Sequence, residues 1–150
     1  MKRKILIDLD VLTLAFWDNK DPGKIIERIK RGEFELYTPY LLLDILSKWR
    51  HKTLAEKIKN FYSVFSSKII TSENIIERKS GAEIETLTKE LIKIGIKEED
   101  ISLILVTSIF DLDYLVTFNR KHLYENTDII NEVLSKNGFS RINIKLPDEI

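Results

Sequence analysis

Two short apolar runs without polar interruption constrain this chain most. Ile5-Leu6-Ile7, set between Lys4 and Asp8-Leu9, is the first, and Asp113-Tyr114-Leu115-Val116-Thr117 contains the second. Neither alternates apolar with polar residues, and each is too short for a buried helix. That is the pattern of strands covered on both faces, as in a parallel sheet. Phe34–Thr38, Lys68–Ile70 and Arg141–Lys145 read as further strands. Helical spacing fills the intervals: Val11–Trp17, Lys24–Lys30 with Gly32 closing it, Pro39–Arg50, and Thr53–Phe65 with Thr53 as cap. A helical stretch from Ser72 to Gly95 is broken near Ser80-Gly81, and Asn126–Lys136 is a surface helix ended by Gly138. The helix from Glu98 to about Phe110 is apolar nearly all round, so it is buried, against the sheet. Helices alternating with short strands predict an α/β domain, a three-layer α/β/α sandwich with a mainly parallel central sheet. The 150 residues suit one domain over 1–150.

Composition narrows the chemistry. Cysteine is absent and histidine numbers 2, which removes disulfides, thiolate sites and imidazole-rich metal sites. A metal held here is a hard cation in carboxylate oxygens, Mg²⁺ or Mn²⁺. Lys+Arg and Asp+Glu are both 24, so no global basic field exists and nucleic acid would have to be met by a local patch. The apolar run after Met1-Lys2-Arg3-Lys4 stops at three residues, too short for a secretory signal, and no run approaches a membrane span. A cytoplasmic protein is expected.

In open parallel sheets, chemistry gathers outside the carboxyl ends of the strands. Asp8 ends the first strand, with Asp10 two residues on. Phe118-Asn119 follows Thr117, Asp100 heads the buried helix, and Asp44 lies early in the helix after the second strand. Carboxylates brought together repel unless a cation neutralises them. Each also has a plainer reading. Asp8 can cap a helix, Asp100 can complement a helix dipole, Asn119 can serve a turn, and His51 and His122 read as surface residues. Asp44 falls off the Leu41/Ile45/Trp49 stripe, beside Ser47 and Lys48, which is a solvated position.

As an ordered set, these segments resemble the PIN domain family. Ile5-Leu6-Ile7-Asp8-Leu9-Asp10-Val11-Leu12 is similar to its opening block, and Thr38-Pro39-Tyr40-Leu41-Leu42-Leu43-Asp44 to its second. Asp100 with Leu103-Ile104-Leu105 resembles the third, Asp113–Thr117 with Phe118-Asn119-Arg120-Lys121-His122-Leu123 the fourth, and Leu146-Pro147-Asp148-Glu149 the ending of many prokaryotic members. The resemblance implies a metal-dependent endoribonuclease, the VapC-like toxin of a VapBC-type toxin–antitoxin pair. It implies Mg²⁺ or Mn²⁺ as cofactor, RNA as substrate, a small antitoxin as partner, and a homodimer. Carried over by position, the catalytic and metal-site residues are Asp8, Asp44, Asp100 and Asn119. Arg120, Lys121, Lys48 and Arg50 are the candidates for RNA phosphate contacts. The chain departs from the family pattern at Leu9 (usually Thr), Asp10 (usually Asn), Asp44 (usually Glu) and Asn119 (often Asp). Two other readings compete. One is a PIN-like binding module without catalysis. The other is a haloacid-dehalogenase-like phosphatase, in which Asp8 is the nucleophile and Asp10 the acid/base.

Overall fold

The computed structural model describes residues 2–150. Five parallel strands form one sheet in the order β3-β2-β1-β4-β5: β1 Arg3–Ile7, β2 Phe34–Pro39, β3 Ser66–Ile70, β4 Tyr114–Val116 and β5 Ile144–Lys145. Ile5 in the centre faces Leu36 on one side and Tyr114 on the other. Ile5, Leu6 and Ile7 have no solvent exposure, as an uninterrupted apolar strand requires. The eight α-helices among the described residues are α1 Leu9–Asp18, α2 Ile25–Lys30, α3 Tyr40–Ser47, α4 Lys52–Phe65, α5 Ser72–Ile76, α6 Gly81–Lys93, α7 Glu98–Ile109 and α8 Thr127–Lys136. None is long and apolar enough to cross a membrane.

The strand order explains the layers. From β1 the chain steps outward to β2 and β3, then returns across the sheet to β4 and moves outward again to β5. Right-handed crossovers put the helices of the first run on one face and those of the second on the other. The packing agrees: α4 lies against α1 and α3, whereas α6 lies against α7 and α8. The α7 helix also reaches β1, β2 and β4, and all its residues from Leu103 to Ile109 are buried. The expected three-layer α/β/α sandwich is what folds. The direction of winding reverses between β1 and β4, and a crevice opens at that reversal.

Element boundaries moved where a side chain competed for the backbone. The first helix starts at Leu9 rather than Val11, because the Asp8 carboxylate accepts the Leu9 N–H at 2.8 Å and closes the strand directly into the helix. The α4 helix is capped by His51, not Thr53: His51 Nδ1 accepts the Leu54 N–H at 3.1 Å. The last strand is only Ile144–Lys145 because the Asn131 side chain binds both the N–H and the C=O of Ile142. The break at Ser80 holds as a capping box, with Ser80 and Glu83 satisfying each other's backbone. Gly23, in a left-handed turn at φ 64°, lets the Pro147 carbonyl pass where a Cβ would sit 2.2 Å from it.

Candidate functional site

A cavity of about 780 Å³ opens at the carboxyl ends of β1 and β4. Five carboxylates line it: Asp8, Asp10 and Asp18 from the β1–α1 side, Glu99 and Asp100 from the start of α7. The remaining wall is mainly apolar, from Leu9, Leu14, Leu42, Ile45, Trp49, Leu103 and Phe118. Among the described residues, no lysine, arginine or histidine lines it.

Each central acid is placed by local structure. Asp8 is the residue at which β1 ends and α1 begins, and Asp10 lies in the first turn of α1. Asp100 lies in the first turn of α7. Helix N-termini carry partial positive charge, which offsets some of the cost of seating acids there. Thr117, fully buried just after β4, ties the group together. Its hydroxyl donates to Asp8 Oδ2 at 2.9 Å and lies 3.4 Å from Asp10 Oδ2. One hydroxyl carries one proton, so it cannot serve both carboxylates as donor. Asp10 instead accepts from the Phe118 N–H at 3.1 Å, and the Asn119 N–H donates to Thr117 Oγ1 at 3.0 Å. Beneath them, buried Tyr62 of α4 donates to the Ile7 carbonyl at 2.7 Å and pins the end of β1.

The electrostatics follow from this crowding. Burial, then the neighbouring Asp10 charge, push the Asp8 carboxyl up to about 7. Burial alone does most of the same to Asp10, up to about 6. Asp100 is raised too, by burial and then by Glu99. Burial and the charges of Asp8 and Asp10 push the Tyr62 hydroxyl well up. The ion pairs among the described residues all lie elsewhere; Lys97 and His122 act on Asp100 from a distance and pull it part of the way back down.

Asp8 and Asp100 therefore meet as expected, and Asn119 joins them by donating from Nδ2 to Asp100 Oδ2 at 3.4 Å. Asn119 does not itself line the cavity. Its Oδ1 accepts the His122 N–H, a turn role alongside the contact to Asp100.

Asp44 lies apart from these acids. It lines a separate groove between α3, α5 and α7 and pairs with Lys48 at 3.2 Å. The α3 helix turns Leu42 and Ile45 to the cavity, and Asp44, off that stripe, faces away. Lys48 goes with it. Arg50, Arg120 and Lys121 are exposed and outside the cavity lining, with the Arg120 guanidinium over the Tyr124 ring.

Asp10, in contrast, lines the cavity beside Asp8. Its signal in the sequence was its spacing: two residues past Asp8, it falls in the same first helical turn.

As the side chains stand, no three His, Cys, Asp or Glu side chains among the described residues converge closely enough to hold one metal ion. Mg²⁺ keeps several waters and takes only one or two carboxylates, and the Asp8/Asp10 pair facing Asp100 suits that demand. No protein-family model matches the chain, and no curated protein matches it either.

Proposed function

We propose that the chain is a metal-dependent phosphodiesterase acting on RNA, a PIN-like endoribonuclease. One observation carries the reading. Asp8, Asp10 and Asp100 share a cavity at the reversal of the parallel sheet, none of them is in an ion pair, and burial raises all three despite Lys97 and His122 near Asp100. Half-buried carboxylates placed together without a counter-charge are costly, and a divalent cation with its waters removes that cost. Asp8 and Asp10 would hold the cation and Asp100 would complete its surroundings from across the cleft. Bound there, the cation would lower the pKa of a water and offset the charge growing on the phosphate.

The chain's own residues do the rest. Thr117 holds Asp8 and Tyr62 holds the strand end beneath it, so the carboxylates meet the substrate already oriented. The Asn119 amide keeps Asp100 turned towards the cleft. Arg120 and Lys121, exposed just past β4, are the charges available to the flanking phosphates. Water attack at phosphorus with departure of the 3′-oxygen leaves a 5′-phosphate and a 3′-hydroxyl. The roles of toxin, antitoxin partner and homodimer extend the same family reading.

The test is digestion of a panel of single-stranded, hairpin and duplex RNAs with Mn²⁺, with Mg²⁺ and with EDTA. Cleavage with either cation, none with EDTA, and 5′-phosphate ends are expected. Cleavage undiminished in EDTA, or no cleavage of any RNA, overturns the reading.

A further inference from the structure

Besides its carboxylates the cleft has an apolar arm to its lining, formed by Leu14, Leu42, Ile45 and Trp49, with Asp18 one helical turn from Leu14. We propose that this arm is a nucleobase subsite, in which one unpaired base stacks on Trp49 while the adjoining phosphate lies at the carboxylates. The phosphate's position rests on the phosphodiesterase reading above; the base's position rests on the arm itself.

Charge decides what can enter. With no lysine, arginine or histidine lining the cleft among the described residues, an anionic or zwitterionic group in the arm would be desolvated without a partner. Asp18 lines the same cleft one helical turn from Leu14 and disfavours an anion further, so on the phosphodiesterase reading the occupant of the arm is a group without negative charge, attached to something anionic that is drawn to a cation at the acids. A nucleotide is built that way, with an uncharged flat base and a charged phosphate.

Shape agrees. Trp49 is half-buried in the junction between α3 and α4, so its ring is held in place before anything binds. The chain's other tryptophan, Trp17, follows the lining in sequence, next to Asp18, without lining the cleft itself; it sets its ring edge-to-face on His51, centroids 4.8 Å apart, where α4 begins, and is 57% exposed. Aromatic platforms of this kind stack successive bases of a single strand whatever their sequence. A base within a duplex has both faces covered and cannot enter, so the arm selects unpaired stretches.

The decisive experiment scans a twelve-nucleotide single-stranded RNA, cut by the Mn²⁺-loaded protein, with an abasic residue at each position in turn. One position next to the cut should lose about tenfold or more in kcat/KM. Trp49→Ala should lose a similar factor on the intact RNA and be indifferent to the abasic residue there, and Trp49→Phe should recover most of the loss. In parallel, Trp17→Phe, whose only tryptophan is Trp49, is mixed rapidly with the same RNA and Mn²⁺, and its fluorescence should be quenched before the RNA is cut. Cleavage insensitive to every abasic position overturns the subsite and leaves the phosphodiesterase reading intact; that scan needs no variant to fold. Quenching without cleavage of any RNA supports the subsite and removes the phosphodiesterase reading. Neither cleavage nor quenching overturns both.

Discussion

Two acidic places that the sequence marks alike, Asp44 and the pair Asp8 and Asp10, are physically opposite in the fold. Asp44 is on an exposed helix face with Lys48 one turn on, side chains 46% and 74% exposed. Its charge is answered by water and by an i,i+4 partner. Asp8 and Asp10 are half-buried, fixed by backbone N–H groups and one threonine, and answered by no basic side chain. An acid that the fold has already neutralised has little left to offer a ligand. Acids that the fold gathers and leaves uncompensated do, and the contrast separates a surface pair from a site better than the presence of a carboxylate.

The largest break should come from the side of that contrast proposed to be catalytic. Asp8→Asn keeps the size and the capping oxygen of the side chain but removes its charge. Mn²⁺-dependent RNA cleavage should drop at least about a hundredfold while circular dichroism and the unfolding midpoint show a folded protein, since charge stabilisation in the transition state is worth that much. Cleavage at the wild-type rate in Asp8→Asn would move the chemistry elsewhere. It would also serve against the phosphatase alternative, for which Asp8 is the nucleophile. That alternative separately requires an aspartyl-phosphate after incubation with a phosphomonoester, and none is expected.

A cation that binds only the folded chain must stabilise it. At a hundred times its Kd it contributes about 2.7 kcal/mol, or roughly 5–10 °C in Tm for a chain this long. Millimolar Mn²⁺ should give a shift of that order, reversed by EDTA and lost in Asp8→Asn and Asp10→Asn. An equal shift in all three proteins would place the cation away from these acids.

How much of this was legible beforehand follows physical lines. The core strands were, because a strand covered on both faces must be continuously apolar and Ile5-Leu6-Ile7 admits little else. Asp8 was, because an acid abutting such a strand needs a reason. Asp10 was undervalued, since it entered as a departure from a pattern; the hydrogen bond that matters comes from Phe118, 108 residues away, and only the fold supplies it. Asp44 shows the converse. The helical stripe of Leu41, Ile45 and Trp49 already put it on the solvated side, and the likeness to a family block pointed the other way; the stripe was the better guide because it reports burial directly. His51 as a cap and Asn131 as the limit of β5 were invisible, because each is set by a side chain reaching a backbone group whose position depends on packing.

Acidity gives a smaller effect. Without metal, Asp8 and Asp10 hold their protons more tightly in the folded chain, to about 7 and about 6, than in the unfolded chain near 3.8. The folded state therefore binds more protons between these values. The stability attached to the two groups is full below about pH 4, falls as pH rises towards 7, and is level above. Urea unfolding in EDTA should show Asp8→Asn gaining about 1–3 kcal/mol on the wild type between pH 5 and pH 8. A difference that does not change with pH would mean that Asp8 titrates like an ordinary carboxylate, and that the cleft is wetter than its lining indicates.

The smallest effect belongs to the other side of the contrast, and it tests the contrast most directly. An exposed i,i+4 pair such as Asp44 with Lys48 contributes about 0.3–0.5 kcal/mol. Asp44→Ala should cost no more than that, keep the Mn²⁺ shift, and change cleavage by less than about twofold. The outcome that breaks the comparison is specific: ordinary stability in EDTA together with loss of the Mn²⁺ shift. Asp44 would then reach the cation after all, which it could do only if α3 turned about its axis and withdrew Ile45 from the cleft. That rotation would also move Trp49, just past the end of α3, so the variant's response to Mn²⁺ reports on the apolar lining as well as on the acids.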